Sequence, residues 1–273
     1  MRYFLITLLL TFTAGAFSQG TVGTAPGSPA VVIGDNPSAG RFVKIRGISL
    51  YYESYGSGRP LLLIHGNGGS IASMAGQVPF FSATYRVIAA DSRAQGKSAD
   101  PSDSLSYEMM ADDMNALLEA LHLDSACVIG WSDGGITGLL LAIRHPEKVR
   151  KLAVTGANIR PDTSAVTLAD IQGMIAEVKQ MRAEKPSPEI KNRIKLTQMM
   201  IDQPTITRRQ LQTIQCPVLV IGGDHDIIKP AHTLEIFQSL RKGSLWILPD
   251  SGHGTLIEHR EDFNVQVNRF FKK

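Results

Sequence analysis

The stretch Cys127-Val128-Ile129-Gly130-Trp131-Ser132-Asp133-Gly134-Gly135 decides the fold. Cys127 to Trp131 is a continuous apolar run of strand length, and helical spacing begins at Gly135 and continues to Arg144. Ser132 therefore stands on a sharp turn between strand and helix. A serine there takes strained backbone angles, and side chains at the flanking positions would strike neighbouring backbone, so Gly130 and Gly134 relieve the crowding. A G-x-S-x-G motif with a strand before it and a helix after it has the context of a nucleophile elbow. A helix-capping serine would explain Ser132 alone, but not the partners that follow it.

Further short apolar runs lie at Leu61 to Ile64, Val87 to Ala90, Leu152 to Thr155, Val218 to Ile221 and Leu245 to Leu248. Strands that are apolar on both faces indicate a mostly parallel sheet covered by helices. The helices are expected from the spacing of Met110, Met114, Leu117, Leu118 and Leu121 after Ser106, from His232 to Leu240, and from Glu258 to Phe271. Alternation of strand and helix makes the chain α/β with an open twisted sheet. Upstream, Phe42 to Ile45 and Ile48 to Tyr55 alternate as an edge hairpin. Between 157 and 215 the alternation stops, and Leu168 to Arg182 and Pro188 to Met200 predict a helical cap over the carboxyl edge of the sheet.

A serine hydroxyl needs a base within hydrogen-bond reach and an acid that orients the base. Two strand-end turns supply them. Gly222-Gly223-Asp224-His225-Asp226 follows one apolar run, and Pro249-Asp250-Ser251-Gly252-His253-Gly254 follows the next. His253 is the expected general base. Asp226, which precedes Ile227-Ile228-Lys229-Pro230, is favoured over Asp224 as the acid. Of the other histidines, His122, His145, His232 and His259 belong to helix ends or a charged helix, His65 braces the loop after it, and His225 sits between the two acids. No cluster has metal-ligand spacing and no Gly-rich nucleotide motif occurs, so neither a metal nor another cofactor is expected.

The order Ser, Asp, His, with His65-Gly66-Asn67-Gly68-Gly69 after a strand and Asp91-Ser92-Arg93 through Gly96 and Ser98 after the next, resembles the α/β-hydrolase superfamily from about Arg41 to Phe271. The resemblance implies a two-donor oxyanion hole from the backbone N–H groups of Asn67 and Asp133. It implies an acyl-enzyme hydrolase acting on small-molecule esters, with amides, lactones or α-amino-acid esters as alternatives, and a ligand-binding protein on the same fold as a rival. Trp131-Ser132-Asp133-Gly134-Gly135-Ile136-Thr137 and Gly156-Ala157-Asn158 are similar to the valacyclovir hydrolase, or biphenyl hydrolase-like, group. That similarity gives substrate binding to Asp133, with Trp131 beside it. A serine at 132 differs from the aspartate that dehalogenases and epoxide hydrolases of this superfamily use.

The 273 residues, 43% hydrophobic with a net charge of +3, fit one elaborated domain with no basic stripe for nucleic acid. Met1-Arg2, the apolar run Tyr3 to Phe12 and small residues up to Ser18 have the layout of a secretory signal peptide, too short in apolar length for a membrane anchor. The reading is therefore a signal peptide at 1–18, a flexible leader at 19–40 and the domain at 41–273, exported to a periplasm or secreted. Cys127 and Cys216 lie in apolar runs and are expected as buried thiols. Protein recovered from an exporting host should begin near Gln19 by N-terminal sequencing, and a mature chain that still starts at Met1 would overturn the export reading.

Overall fold

Eight strands form one sheet: β1 (Gly40–Ile45), β2 (Ile48–Tyr55), β3 (Arg59–Ile64), β4 (Tyr85–Ala90), β5 (Ala126–Trp131), β6 (Val149–Thr155), β7 (Val218–Gly223) and β8 (Gly243–Leu248). Their spatial order is β1-β2-β4-β3-β5-β6-β7-β8. β1 and β2 are the expected hairpin, β2 lies antiparallel to β4, and the remaining pairs are parallel. The computed structural model describes residues 32–273, so the signal peptide expected at 1–18 and most of the leader lie outside the described residues.

Nine α-helices accompany the sheet among the described residues: α1 (Val78–Ser82), α2 (Tyr107–Ala120), α3 (Asp133–Arg144), α4 (Leu168–Ala183), α5 (Pro188–Asp202), α6 (Arg208–Leu211), α7 (Pro230–Ser239), α8 (Thr255–Glu258) and α9 (Arg260–Lys272). Strand alternation divides the core into two layers. Leu62, Ile64, Val128, Leu152, Val154 and Val220 pack against α2, α3 and α7. Leu61, Leu63, Cys127, Ile129, Ala153 and Ile221 pack against α1 and α9 through Phe81, Phe263, Val267 and Phe271. Ser106 caps α2 by accepting from Met109 N–H, and the stripe from Met110 to Leu118 is buried as its spacing predicts. Cys127 and Cys216 are buried free thiols.

The cap is helical and lies between β6 and β7, as α4, α5 and α6. Its α5 seats on the core: Asn192 Nδ2 donates to Ala94 O at 2.7 Å, and Lys195 Nζ reaches Asp100 Oδ2 at 2.9 Å. Asp100 also pairs with the buried Arg93, which grips Asp113 of α2. The two stems of the cap meet where Ile206 N–H donates to Ile159 O at 2.9 Å. Arg160 and Arg208, one from each stem, both bind Glu235 on α7.

The leader needs correction in its last residues. The segment from residue 32 to 39 is docked, not loose: Ile33 is 4% exposed and belongs to the same buried cluster as Ile71 and Met74, and Gly34 and Asn36 donate their N–H groups to Glu53 at 2.8 and 2.9 Å. Glu53 is wholly buried and also accepts the hydroxyls of Tyr51 and Tyr55 at 2.7 and 2.6 Å. A Gly, Pro and Ser composition hides this, because the segment is held by a carboxylate on a distant strand instead of by its own periodicity. Glu53→Ala strands four donors, and buried unmet donors are costly. We expect a loss of about 3 kcal/mol in urea unfolding together with new protease cleavage between residues 32 and 39; an unchanged midpoint would show that the anchor contributes nothing.

Candidate active site

Parallel register sets the site. Ile64 pairs with Gly130, Trp131 with Thr155, and Thr155 with Ile221, so the loops after β3, β5, β6 and β7 emerge side by side at one sheet edge. Ser132 follows β5 directly at φ 55° and ψ −119°, outside the usual regions for an L residue. Its N–H donates to Thr155 O at 2.8 Å, and its carbonyl accepts from Gly135 and Ile136, so both neighbouring elements hold the turn. The flanking glycines are there for clearance. A Cβ on Gly130 would lie 2.2 Å from Gly134 O, and one on Gly134 would lie 2.1 Å from Ile64 O.

The structure brings Ser132, His253 and Asp226 into one hydrogen-bonded chain. His253 Nε2 lies 2.9 Å from Ser132 Oγ, and Nδ1 lies 2.7 Å from Asp226 Oδ1. The carboxylate holds the proton on Nδ1, which leaves Nε2 free to accept from the serine hydroxyl. Asp226 is buried, and its Oδ1 also accepts Ile228 N–H at 3.0 Å. Asp224, the rival acid, faces elsewhere and accepts Ser251 N–H at 3.1 Å, steadying the loop that carries His253.

Other contacts hold that loop. Glu258 on α8 accepts Gly252 N–H at 2.7 Å and Ser251 Oγ–H at 3.0 Å, and Trp131 Nε1 donates to His253 O at 2.8 Å. The indole of Trp131, expected among substrate-binding residues, is thus engaged with the histidine loop. His65 is buried and neutral, its basicity lowered by burial. Its Nε2 accepts Ser92 N–H at 3.0 Å and its Nδ1–H donates to Gly66 O, bracing the loop after β3.

Among the described residues, the N–H groups of Asn67 and Asp133 donate to no acceptor. Gly66 puts this loop against Ser132, since a Cβ on it would lie 3.1 Å from Ser132 Cβ. The Asp133 side chain is 3% exposed and already engaged: Oδ1 accepts from Tyr107 Oη at 2.8 Å and Oδ2 from Asn67 Nδ2 at 2.8 Å. Burial pushes its carboxyl up to about 6, against the opposing pull of those two donors and of His253. Sequence reasoning missed Tyr107, Glu258 and Gln95, whose Oε1 accepts Gly68 N–H at 2.6 Å. Tyr107 gave no signal beyond opening a helix, and Glu258 none beyond a charge on a helix.

Gly156 follows β6 at φ +63°, and a Cβ there would meet His253 Cε1 at 2.8 Å and Nδ1 at 3.0 Å. Gly156→Ala should therefore push the imidazole off its partners and lose about 1–3 kcal/mol of stability to backbone strain. The measurement is the downfield proton resonance of the His253–Asp226 hydrogen bond, together with the melting temperature. A resonance that survives in the variant would show that the imidazole is not seated against Gly156.

Residues 59–189 match the family described as alpha/beta hydrolase fold. RutD of Caulobacter sp. (strain K31), which carries the name of a carbamate hydrolase, is 30% identical over 260 residues, spanning 81% of this chain and 95% of its own length. Serine hydrolase BPHL of Mus musculus is 28% identical over 253 residues, 84% of this chain and 85% of its own. Among solved structures, the esterase EaEST from Exiguobacterium antarcticum superposes with a TM-score of 0.75 at 24% identity, over 86% of this chain and 100% of that one, which is a likeness of fold. With the expected sheet, elbow and loop order all present, the chain belongs to the α/β-hydrolase family.

Proposed function

We propose that this chain is a serine hydrolase that cleaves carboxylic esters of small molecules through an acyl-enzyme, and that it works outside the cytoplasm once residues 1–18 are removed. The observation that carries the reading is the unbroken chain Ser132–His253–Asp226 at the carboxyl edge of the sheet. Ser132 Oγ attacks the ester carbonyl while His253 Nε2 takes its proton, and the imidazolium that forms is paired with Asp226. The negative charge on the former carbonyl oxygen is met by the N–H groups of Asn67 and Asp133, each worth about 3 kcal/mol of barrier. His253 then passes the proton to the departing alcohol, and water, deprotonated by the same nitrogen, releases the acid from Ser132.

Amides, lactones and α-amino-acid esters would use the same apparatus, and RutD of Caulobacter carries the name of a carbamate hydrolase. An amino-acid ester would need a free anion for its ammonium group. The Asp133 carboxylate is buried and already spans Tyr107 and Asn67, which favours plain esters over that alternative. A binding protein on the same fold would not need an aligned serine and imidazole.

Wild-type protein should be labelled by a fluorophosphonate and should turn over p-nitrophenyl esters, with both activities falling at least about a thousandfold in Ser132→Ala. A parallel panel of amides, lactones and amino-acid esters ranks the alternatives. Folded wild-type protein that takes no label would overturn the hydrolase reading in favour of ligand binding.

A further inference from the structure

Asp133 presents a costly arrangement. Its carboxylate is buried at the first position of α3, and the groups favouring its ionised form are two neutral donors, Asn67 and Tyr107, and His253 by charge alone. Both oxygens act as acceptors, one from Tyr107 Oη and the other from Asn67 Nδ2, each at 2.8 Å. Asn67 Nδ2 also lies 3.4 Å from Leu196 O on α5, so acceptors on both sides fix which end of the amide faces them. An asparagine at 133 that accepted from Tyr107 would turn its own NH2 toward that of Asn67, and one turned the other way would leave the buried Tyr107 hydroxyl hydrogen without this acceptor. The carboxylate accepts from Tyr107 and Asn67 together while Asn67 keeps the Leu196 carbonyl.

Asn67 and Asp133 are also the two residues whose backbone N–H groups stand without acceptors beside Ser132. Their side chains are tied to each other directly, across two separate loops. The far end is secured by Tyr107, 1% exposed on the first turn of α2, whose own N–H donates to Gln203 Oε1 at the end of α5. The geometry points to Tyr107 and the side chains of Asn67 and Asp133 as one positioning unit that fixes the spacing of the two oxyanion donors; this rests on the hydrolase reading above. Donors aimed at a charge that develops only in the transition state act on kcat, not on ground-state binding. Tyr107 touches no reacting atom and acts through Asp133.

The test compares wild type, Asn67→Ala, Tyr107→Phe and the double variant on a p-nitrophenyl ester. Asn67→Ala keeps the backbone donor and removes the tie at a half-buried position, and the melting temperature of each variant is measured beside wild type so that a loss of fold is read separately from a loss of kcat. Each single variant should lower kcat about tenfold with KM within about twofold, a scale set by small misplacements of reacting groups. The double variant should lose about as much as the worse single one, because cutting one unit at two points costs no more than cutting it once. Hydrogen exchange at the 66–69 amides should quicken in Tyr107→Phe. Losses that multiply, a change in KM alone, or an unaltered kcat would overturn the unit. Unchanged exchange would overturn it even in protein that turns over no ester, a separate failure belonging to the hydrolase reading.

Discussion

Everything at this site depends on a steric constraint at one turn. Ser132 keeps a positive φ because β5 ends, α3 begins and β3 passes alongside with no space to spare. Such strain costs on the order of 1–3 kcal/mol and survives only where the surroundings over-determine the conformation. Here Thr155 O, Gly135 N–H and Ile136 N–H do so from both directions. The close approach that demands glycine at 134 also brings the end of β3, and therefore the loop from His65 to Gly69, against the serine. Strain at Ser132 and delivery of the His65 to Gly69 loop to its side are two results of the same packing.

The histidine side of the site is held by a division of labour among anions. Asp226 addresses the imidazole, Asp224 the Ser251 N–H, and Glu258 the Gly252 N–H and the Ser251 hydroxyl. Two carboxylates thus shape the loop so that the third can act on its ring. Trp131 adds a contact from β5 itself, tying the His253 carbonyl to the strand that presents Ser132. Serine and histidine are therefore positioned relative to each other through backbone as well as through their side chains.

The fold was readable in the sequence because its core strands are apolar on both faces and its functional turns carry glycine, both local signals. The hairpin, the six core strands, the cap and the acid-then-base order follow from them. Asp226 over Asp224 was readable only by its place further into the turn and the match of that place to the acid position of the family the chain resembles, and Asp226 Oδ1 lies against His253 Nδ1. What could not be read depends on distant pairings. Glu53 gathers Gly34 and Asn36 across the hairpin, so a segment with linker composition becomes part of the fold. Tyr107 meets Asp133 from 26 residues away, and no local pattern marks a tyrosine whose hydroxyl has a buried acceptor.

The Asp133 carboxylate also raises an electrostatic question that its location answers. An anion next to an oxyanion site opposes the charge that must develop there. Asp133 sits at the N-terminus of α3, where unpaired backbone N–H groups and the helix dipole favour negative charge, so one field would serve both the carboxylate and the proposed oxyanion. In the proposed reaction the proton that leaves Ser132 makes His253 cationic, and His253 is among the groups that favour ionised Asp133. Charge separation in that proposed reaction would place a cation near this anion at the moment an oxyanion forms. In that reading the repulsion is offset within the site while the carboxylate keeps both of its hydrogen bonds.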